Sequence, residues 1–160
     1  MNAITYKHFT GAHIEDLNDA RGCTEKVRKI LRGILCKEED SGKRKEAIEN
    51  FQFYNFAFAK DMDFNTKKTA CYMSIMQEVL LHDIDQGMWS VESSMKHFKK
   101  LVLRHATERP PVSVGIFSSQ DVSSLVKDTS SRYYRHFSMY KNIFVKRKDD
   151  VVIVKDSKVV

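Results

Sequence analysis

The 160-residue sequence has few cysteines, only two prolines and no long apolar segment. The three cysteines, Cys23, Cys36 and Cys71, are an odd number, and no two of them have CxxC spacing. A disulfide framework is therefore not expected, and we expect reduced thiols in the cytosol. No apolar run approaches the roughly 20 residues that a membrane-spanning helix needs. These absences predict one soluble domain that is stabilised by its own core.

Residues that could bind a metal or carry catalysis are present, but their spacing does not fit either role. The segment Asp61–Asn65 begins like a calcium-binding loop, yet Thr66 stands where that loop needs glycine and Tyr72 where it needs glutamate. The segment is instead predicted to be a capped helix entry. No histidine forms an HExxH pair or is spaced to activate Cys71, which we interpret as a core cysteine. The sequence predicts no catalytic, metal or cofactor site.

The charges divide the chain into two unequal parts. Residues 1–94 contain 13 Lys and Arg against 15 Asp and Glu, a net charge of −2, whereas residues 95–160 contain 14 against 6, a net charge of +8. A basic half on a near-neutral body indicates an acidic partner. That partner could be a protein surface, a nucleic acid or an anionic membrane, and charge alone does not choose among them.

Apolar residues recur at helical spacing in every long segment, which predicts an all-α bundle of four to five helices. The predicted helices cover residues 24–36, 47–58, 66–81, 91–105 and a segment that begins at Ser118. The second of them could also be a strand, because Phe51 and Phe53 alternate. We expect an irregular or weakly helical lead-in at 1–23, a helical domain at 24–145 and a flexible basic tail at 146–160. The tail contains an isolated strand-like run at Val151–Val154.

The only two prolines are adjacent and predict a fixed joint at residues 109–117. The residues assigned to this joint and to the start of the next helix are Arg109, Pro110, Pro111, Ser113, Phe117 and Ser118. Ser118 is followed three positions later by Asp121, the spacing of a capping box. A new helix is therefore predicted to begin after the joint and to carry the aromatic residues from Tyr133 to Phe144.

The segment from Arg132 to Lys148 combines aromatic and basic residues more densely than any other. Its aromatics exceed what one helix face can bury, and Tyr and Arg are enriched at interface hot spots. We predict a partner-binding surface formed by Arg132, Tyr133, Arg135, Tyr140, Lys141 and Phe144, with Arg135 and Tyr140 as its anchors. Two other segments, 26–37 and 95–105, resemble basic amphipathic calmodulin targets, although burial of their apolar faces in this fold is the favoured interpretation.

The proline joint and the aromatic-basic segment together resemble the CLAMP-domain family. Members are small subunits of a projection on the central microtubule pair of cilia and flagella. The residues that carry the resemblance are Arg109, Pro110, Pro111, Ser113, Phe117, Ser118, 133–137 and 140–144, with weaker similarity at 56–60, Phe64 and 66–81.

This resemblance implies a non-catalytic structural subunit of the axoneme. The partners that it implies are other projection subunits, large scaffold proteins and calmodulin, while contact with tubulin is left open. A nucleic-acid-binding module that stacks bases on the aromatic-basic segment is the alternative, although no RNA- or DNA-binding motif is recognisable. An enzyme is a distant third, because no nucleophile with a base can be named.

Overall fold

The computed structural model describes residues 4–106 and 115–145, and every regular element in these two ranges is helical. The elements are α1 Gly11–Asp19, α2 Thr24–Leu35, α3 Gly42–Asp61, α4 Thr66–Asp85, α5 Val91–Ala106, α6 Ser119–Arg132, a 3-10 helix Tyr134–His136 and α7 Phe137–Phe144. The all-α class predicted from the sequence is confirmed. The number of helices is not, since the described residues contain more than the four to five predicted.

Helix α4 lies at the centre of the bundle and contacts α1, α3 and α5. Its residues 69–77 are all buried, and none of them is charged. Cys71, Tyr72 and Ile75 join the larger apolar cluster, whereas Ala70 and Met73 join a second cluster on another side of the helix. A helix that is apolar on several sides needs neighbours on several sides, which explains the central position of α4.

The second cluster is covered by α1 and α2. Phe9, Ile14 and Leu17 are completely buried, and Val27 and Leu31 pack with them from α2. Helix α1 is therefore a regular part of the described fold, whereas the sequence indicated an irregular or weakly helical segment there. Its start is fixed by Thr10, whose hydroxyl accepts a hydrogen bond from the His13 amide at 3.2 Å while the imidazole Nδ1 accepts one from the Thr10 amide.

Side-chain caps define where the next two helices begin. The Ser41 hydroxyl accepts from the Arg44 amide at 3.3 Å at the start of α3, and Asn65 Oδ1 accepts from the Lys68 amide at 2.8 Å at the start of α4. The cap at Asn65 confirms the predicted helix entry. The strand alternative at Phe51 and Phe53 is wrong, because α3 runs through both residues and packs against α2, α4 and α7.

The end of α4 and the following turn differ from the prediction. The helix continues to Asp85, although a loop was expected from His82 to Trp89. Gly87 then adopts a left-handed conformation with φ of 73°, which glycine reaches without steric cost at the end of a helix. The Ser90 hydroxyl accepts from the Ser93 amide at 3.2 Å at the start of α5.

Only part of the predicted proline joint lies in the described ranges. Arg109, Pro110, Pro111 and Ser113 fall outside them, so the joint itself stays a prediction. Beyond it, the Ile116 amide donates to the His105 carbonyl at 2.6 Å, and Phe117 is buried with its ring centroid 6.0 Å from that of Phe64. These contacts hold the segment before α6 against the end of α5 and the start of α4.

Candidate partner-binding surface

The aromatic-basic segment is carried by two helices rather than by one. Ser118 and Asp121 form the predicted capping box, with the Asp121 amide donating to the Ser118 hydroxyl at 3.1 Å and the Ser118 amide to Asp121 Oδ2 at 3.0 Å. Lys68 Nζ lies 2.7 Å from Asp121 and ties α6 to α4. Helix α6 ends at Arg132, and the 3-10 helix then turns the chain into α7. The prediction of one continuous helix is therefore wrong.

Most aromatic residues of the segment pack together against α3. Phe51 lies at the centre, with its ring centroid 5.4 Å from that of Tyr133 and 5.9 Å from that of Tyr140. Tyr133 is also 5.0 Å from Tyr134, and Tyr140 stacks on Phe144 at 6.4 Å. Such close pairs add stabilisation to the area that they bury. The aromatic cluster therefore explains why the chain turns after α6 and why α7 lies on α3.

Two residues predicted for partner binding belong to this core. Tyr133 is 2% exposed and Phe144 is 5% exposed, so neither offers a contact surface in the folded chain. Tyr140 is half-buried, and its ring is already in contact with Phe51 and Tyr133. The main role of these three aromatic residues is therefore to position α7 within the fold, and partner binding is secondary to it.

The buried carboxylate of Asp83 anchors the chain at the start of the 3-10 helix through hydrogen bonds. Asp83 Oδ2 accepts hydrogen bonds from the Tyr133 hydroxyl and the Ser94 hydroxyl, each at 2.6 Å. Because the Ser94 proton is used there, the Tyr134 hydroxyl donates to Ser94 at 2.9 Å. Burial, followed by the nearby Asp83 charge, raises the pKa of Tyr133, so its phenol stays protonated as the donor. This network joins α4, α5 and the 3-10 helix.

Arg132 forms a second network at the end of α6. Its guanidinium Nε donates to Asp128 Oδ2 at 2.9 Å and to Oδ1 at 3.0 Å. One terminal nitrogen also donates to Asn55 Oδ1 and to the Tyr72 hydroxyl, both at 3.2 Å. The charge of Arg132 is thus paired within the fold, and one of its terminal nitrogens connects α6 to α3 and α4. Arg132 contributes less to a partner surface than its sequence position indicated.

A cleft of about 310 Å³ lies between α3 and the α6–α7 segment. Phe51, Met76 and Tyr133 are among the residues that line it. Tyr54 from α3 and Met139 from α7 also line it and are 52% and 49% exposed. A neighbouring hollow of about 220 Å³ shares Met139 and continues along α3. We call the two together the α3–α7 groove.

Neutral polar side chains, Asn50, Asn55 and Thr129, line the groove together with charged ones. Arg132 and His136 line the cleft, and Lys43 and Glu46 line its continuation. Arg135 is exposed in the 3-10 helix. Sequence reasoning missed Tyr54 and Met139, because periodicity predicted Tyr54 for the buried stripe of α3 and Met139 carries no charge or ring to mark it. The groove therefore combines apolar lining side chains with two basic ones, Arg132 and Lys43, and one acidic one, Glu46.

Lys141 lies on a different side of α7 from the groove. Its ammonium stands 5.7 Å from the centroid of the Trp89 ring, in the turn between α4 and α5. At about 100° per residue, Lys141 is rotated by about 200° from Met139. The predicted partner-binding residues are consequently not one surface, because the structure separates Lys141 from the groove and buries Tyr133 and Phe144.

The described residues group few of the side chains that bind metal ions. No group of three or more His, Cys, Asp or Glu side chains within residues 4–106 and 115–145 could hold a metal ion. Cys71 is completely buried, and burial raises the pKa of its thiol to about 12.

None of the helices in residues 4–106 and 115–145 is both long and apolar enough to cross a membrane. The apolar faces of α2 and α5 are buried, with Leu31 and Phe98 among their core residues.

The fold and its surface define a class: an α-helical bundle that presents an apolar cleft beside basic side chains. The sequence matches the CLAMP family, described as flagellar C1a complex subunit C1a-32, over residues 54–152, so the chain belongs to this family. The resemblance predicted from the proline joint and the aromatic-basic segment is thereby confirmed. Proteins of this family are structural subunits of a flagellar complex, and membership assigns the chain to the axoneme.

Proposed function

We propose that this chain is a non-catalytic adaptor of the C1a projection of the flagellar central apparatus and docks neighbouring subunits in the α3–α7 groove. The observation that supports this most directly is the pair of half-exposed side chains, Tyr54 and Met139, at a cleft lined by apolar core residues. Apolar and aromatic side chains that converge on a groove between two helices suit the binding of an amphipathic helix. Family membership supports other C1a subunits as the partners.

Exposed basic side chains at the groove favour a partner that carries negative charge. Arg135 is exposed in the neighbouring 3-10 helix, and Lys43 lines the far end of the groove together with Glu46. Charge at the rim of an interface mainly raises the rate of association and selects the partner, while the apolar contacts supply most of the affinity. The proposed occupant is therefore an amphipathic helix of another projection subunit with acidic residues beside its apolar face.

The structure favours a protein partner over a nucleic acid. Tyr133, Tyr134, Phe137 and Phe144 are buried in the aromatic cluster, so these rings have no free face for stacking on bases. Calmodulin is the other partner that the resemblance implied. Its target would have to be an exposed amphipathic helix, and the two candidate helices bury their apolar sides. We therefore do not include calmodulin in the proposed docking at the groove.

A single charge placed in the groove tests the proposal. Met139→Glu should lower incorporation of a tagged chain into axonemes at least about tenfold, because loss of roughly 1.4 kcal/mol of binding free energy corresponds to that factor. Ser138→Glu is the matched control, since Ser138 is exposed on the same helix and does not line the groove. Both variants should keep the melting temperature of the isolated chain.

Three results are informative. Equal incorporation of Met139→Glu and the parent chain contradicts docking in the groove. A fall for both glutamate variants indicates a general effect of charge on α7 and also contradicts it. Arg135→Ala should mainly slow association and make it less sensitive to salt, because exposed charge acts on the rate of encounter.

A further inference from the structure

A second surface feature, separate from the groove, is the turn between α4 and α5. Trp89 is the only tryptophan of the chain and is 85% exposed. An indole ring is large and apolar, so exposure of nearly the whole side chain leaves a sizeable apolar area in water. Tryptophan is also among the residues most enriched at binding hot spots. The position of Trp89 therefore calls for a physical explanation.

The turn holds Trp89 outward by anchoring the residue before it. The Met88 amide donates to the Asp83 carbonyl at 2.8 Å, and the Met88 side chain is buried in the larger apolar cluster. Both Gly87 and Met88 have positive φ, of 73° and 52°. A left-handed methionine costs free energy that its burial offsets. With Met88 fixed inward, Trp89 is presented on an ordered support rather than on a loose loop.

Lys141 gives this ring a charged neighbour from α7. Its ammonium stands 5.7 Å from the ring centroid, close enough for a cation–π interaction. No carboxylate in the described part of the chain pairs with Lys141. Glu92, which follows Trp89 closely in sequence, accepts a hydrogen bond from Ser90 at the start of α5. Lys141 thus has the exposed indole ring, and no carboxylate of the described ranges, beside its ammonium.

We propose that Trp89 and Lys141 form a docking element that inserts into an apolar pocket of a second protein with a carboxylate at the pocket's rim. Covering the indole would also remove water from the Lys141 ammonium, and a buried ammonium without a counter-ion is costly. No counter-ion for it lies in residues 4–106 and 115–145, and a carboxylate at the rim of the partner's pocket would supply one. This element goes beyond the α3–α7 groove, because α7 presents Met139 to the groove and Lys141 to Trp89 on different sides.

Chemical footprinting of the assembled protein tests the inference. Axonemes are prepared from cells that express a tagged chain, and the isolated chain serves as the reference. Oxidation of Trp89 by hydroxyl radicals and acetylation of Lys141 should both slow about fivefold or more on assembly, as expected when a hot-spot side chain becomes covered. Tyr6, in the segment before α1, and Lys29, in α2, are exposed and report whether protection is general.

Zero-length carbodiimide crosslinking then identifies the partner chemistry. Lys141 should form an amide with an Asp or Glu of another axonemal protein, and Lys141→Gln should abolish that product. Trp89→Ala should reduce its yield severalfold while Lys141 is retained.

The footprinting result overturns the inference if Trp89 is equally reactive in axonemes and in the isolated chain. The crosslinking result overturns it if Lys141 forms no crosslink to a carboxylate of another protein, or if isotope-labelled mixtures show that the crosslink joins only two copies of this chain. Photocrosslinking of Trp89 to RNA would also overturn it. The proposed groove is judged separately, by incorporation of Met139→Glu.

Discussion

The buried carboxylate of Asp83 should make the hydroxyl of Tyr133 one of the most valuable single groups in the fold. The substitution Tyr133→Phe removes this hydroxyl but leaves the ring and its aromatic contacts in place. It deletes one of the two 2.6 Å hydrogen bonds to Asp83. A hydrogen bond to a charged group contributes about 1.5–3 kcal/mol, more than one between neutral groups. We therefore expect Tyr133→Phe to lower the free energy of unfolding by about 2 kcal/mol.

The neighbouring tyrosine supplies a graded comparison. The Tyr134 hydroxyl donates to Ser94, a neutral acceptor, at 2.9 Å, so Tyr134→Phe should cost only about 1 kcal/mol. Tyr54→Phe should cost almost nothing, because its side chain is half-exposed and its hydroxyl has no hydrogen-bond partner in the described ranges. The three variants remove the same atom from three different environments, so they isolate the effect of the acceptor.

Urea unfolding followed by circular dichroism measures these differences. For a chain of this size, about 2 kcal/mol corresponds to a fall of roughly 4–8 °C in the melting temperature. On an Asp83→Asn background the charged acceptor is gone, so Tyr133→Phe should then cost less than half as much. If Tyr133→Phe stays within about 0.5 kcal/mol of the parent, or if Tyr134→Phe costs more, Asp83 does not carry the stabilisation assigned to it.

Two further predictions concern titration of buried groups. Because burial raises the pKa of Cys71 to about 12, a disulfide reagent at pH 8 should modify exposed Cys23 in seconds to minutes and Cys71 only at the rate of unfolding. Burial lowers the pKa of His105, so just below about pH 6.5 the unfolded chain binds more protons than the folded one. Stability should therefore be full above that pH and fall as the pH drops through the folded-state pKa, and His105→Gln should reduce the slope in urea titrations at pH 7.5 and 5.5. Rapid native labelling of Cys71, or an unchanged slope in His105→Gln, would contradict the respective prediction.

The middle of the bundle was predictable because local signals and tertiary packing agree there. In α2, α3, α4 and α5, apolar residues recur at helical spacing, and caps such as Asn65 and Ser90 stand where the helices begin. The end of α4 was placed too early, since no local signal distinguishes its last turn from the turn at Gly87. The segment of α1 was expected to be irregular or only weakly helical because its nine residues contain few apolar positions and its capping box is closed by His13 rather than by an acid.

The break between α6 and α7 could not be read from the sequence. Residues 133–137 contain neither proline nor glycine, so nothing local interrupts the helical pattern. The turn is stabilised by contacts distant in sequence, the Asp83 carboxylate and the Phe51 ring. For the same reason composition identified the aromatic-basic segment but not which of its members are accessible, since burial of Tyr133 and exposure of Met139 depend on which helices meet.

The position of α3 determines which truncated forms of this protein can fold. The family match begins at residue 54, in the middle of α3, whose earlier residues Ala47, Ile48 and Phe51 are part of the larger apolar cluster. A fragment trimmed to the match would lose these side chains and all of α1 and α2. It would then expose Phe56 and Met73, which those helices cover. Such a fragment should aggregate on expression, and a shortened chain that stays soluble should retain the residues from the segment before Phe9 onward.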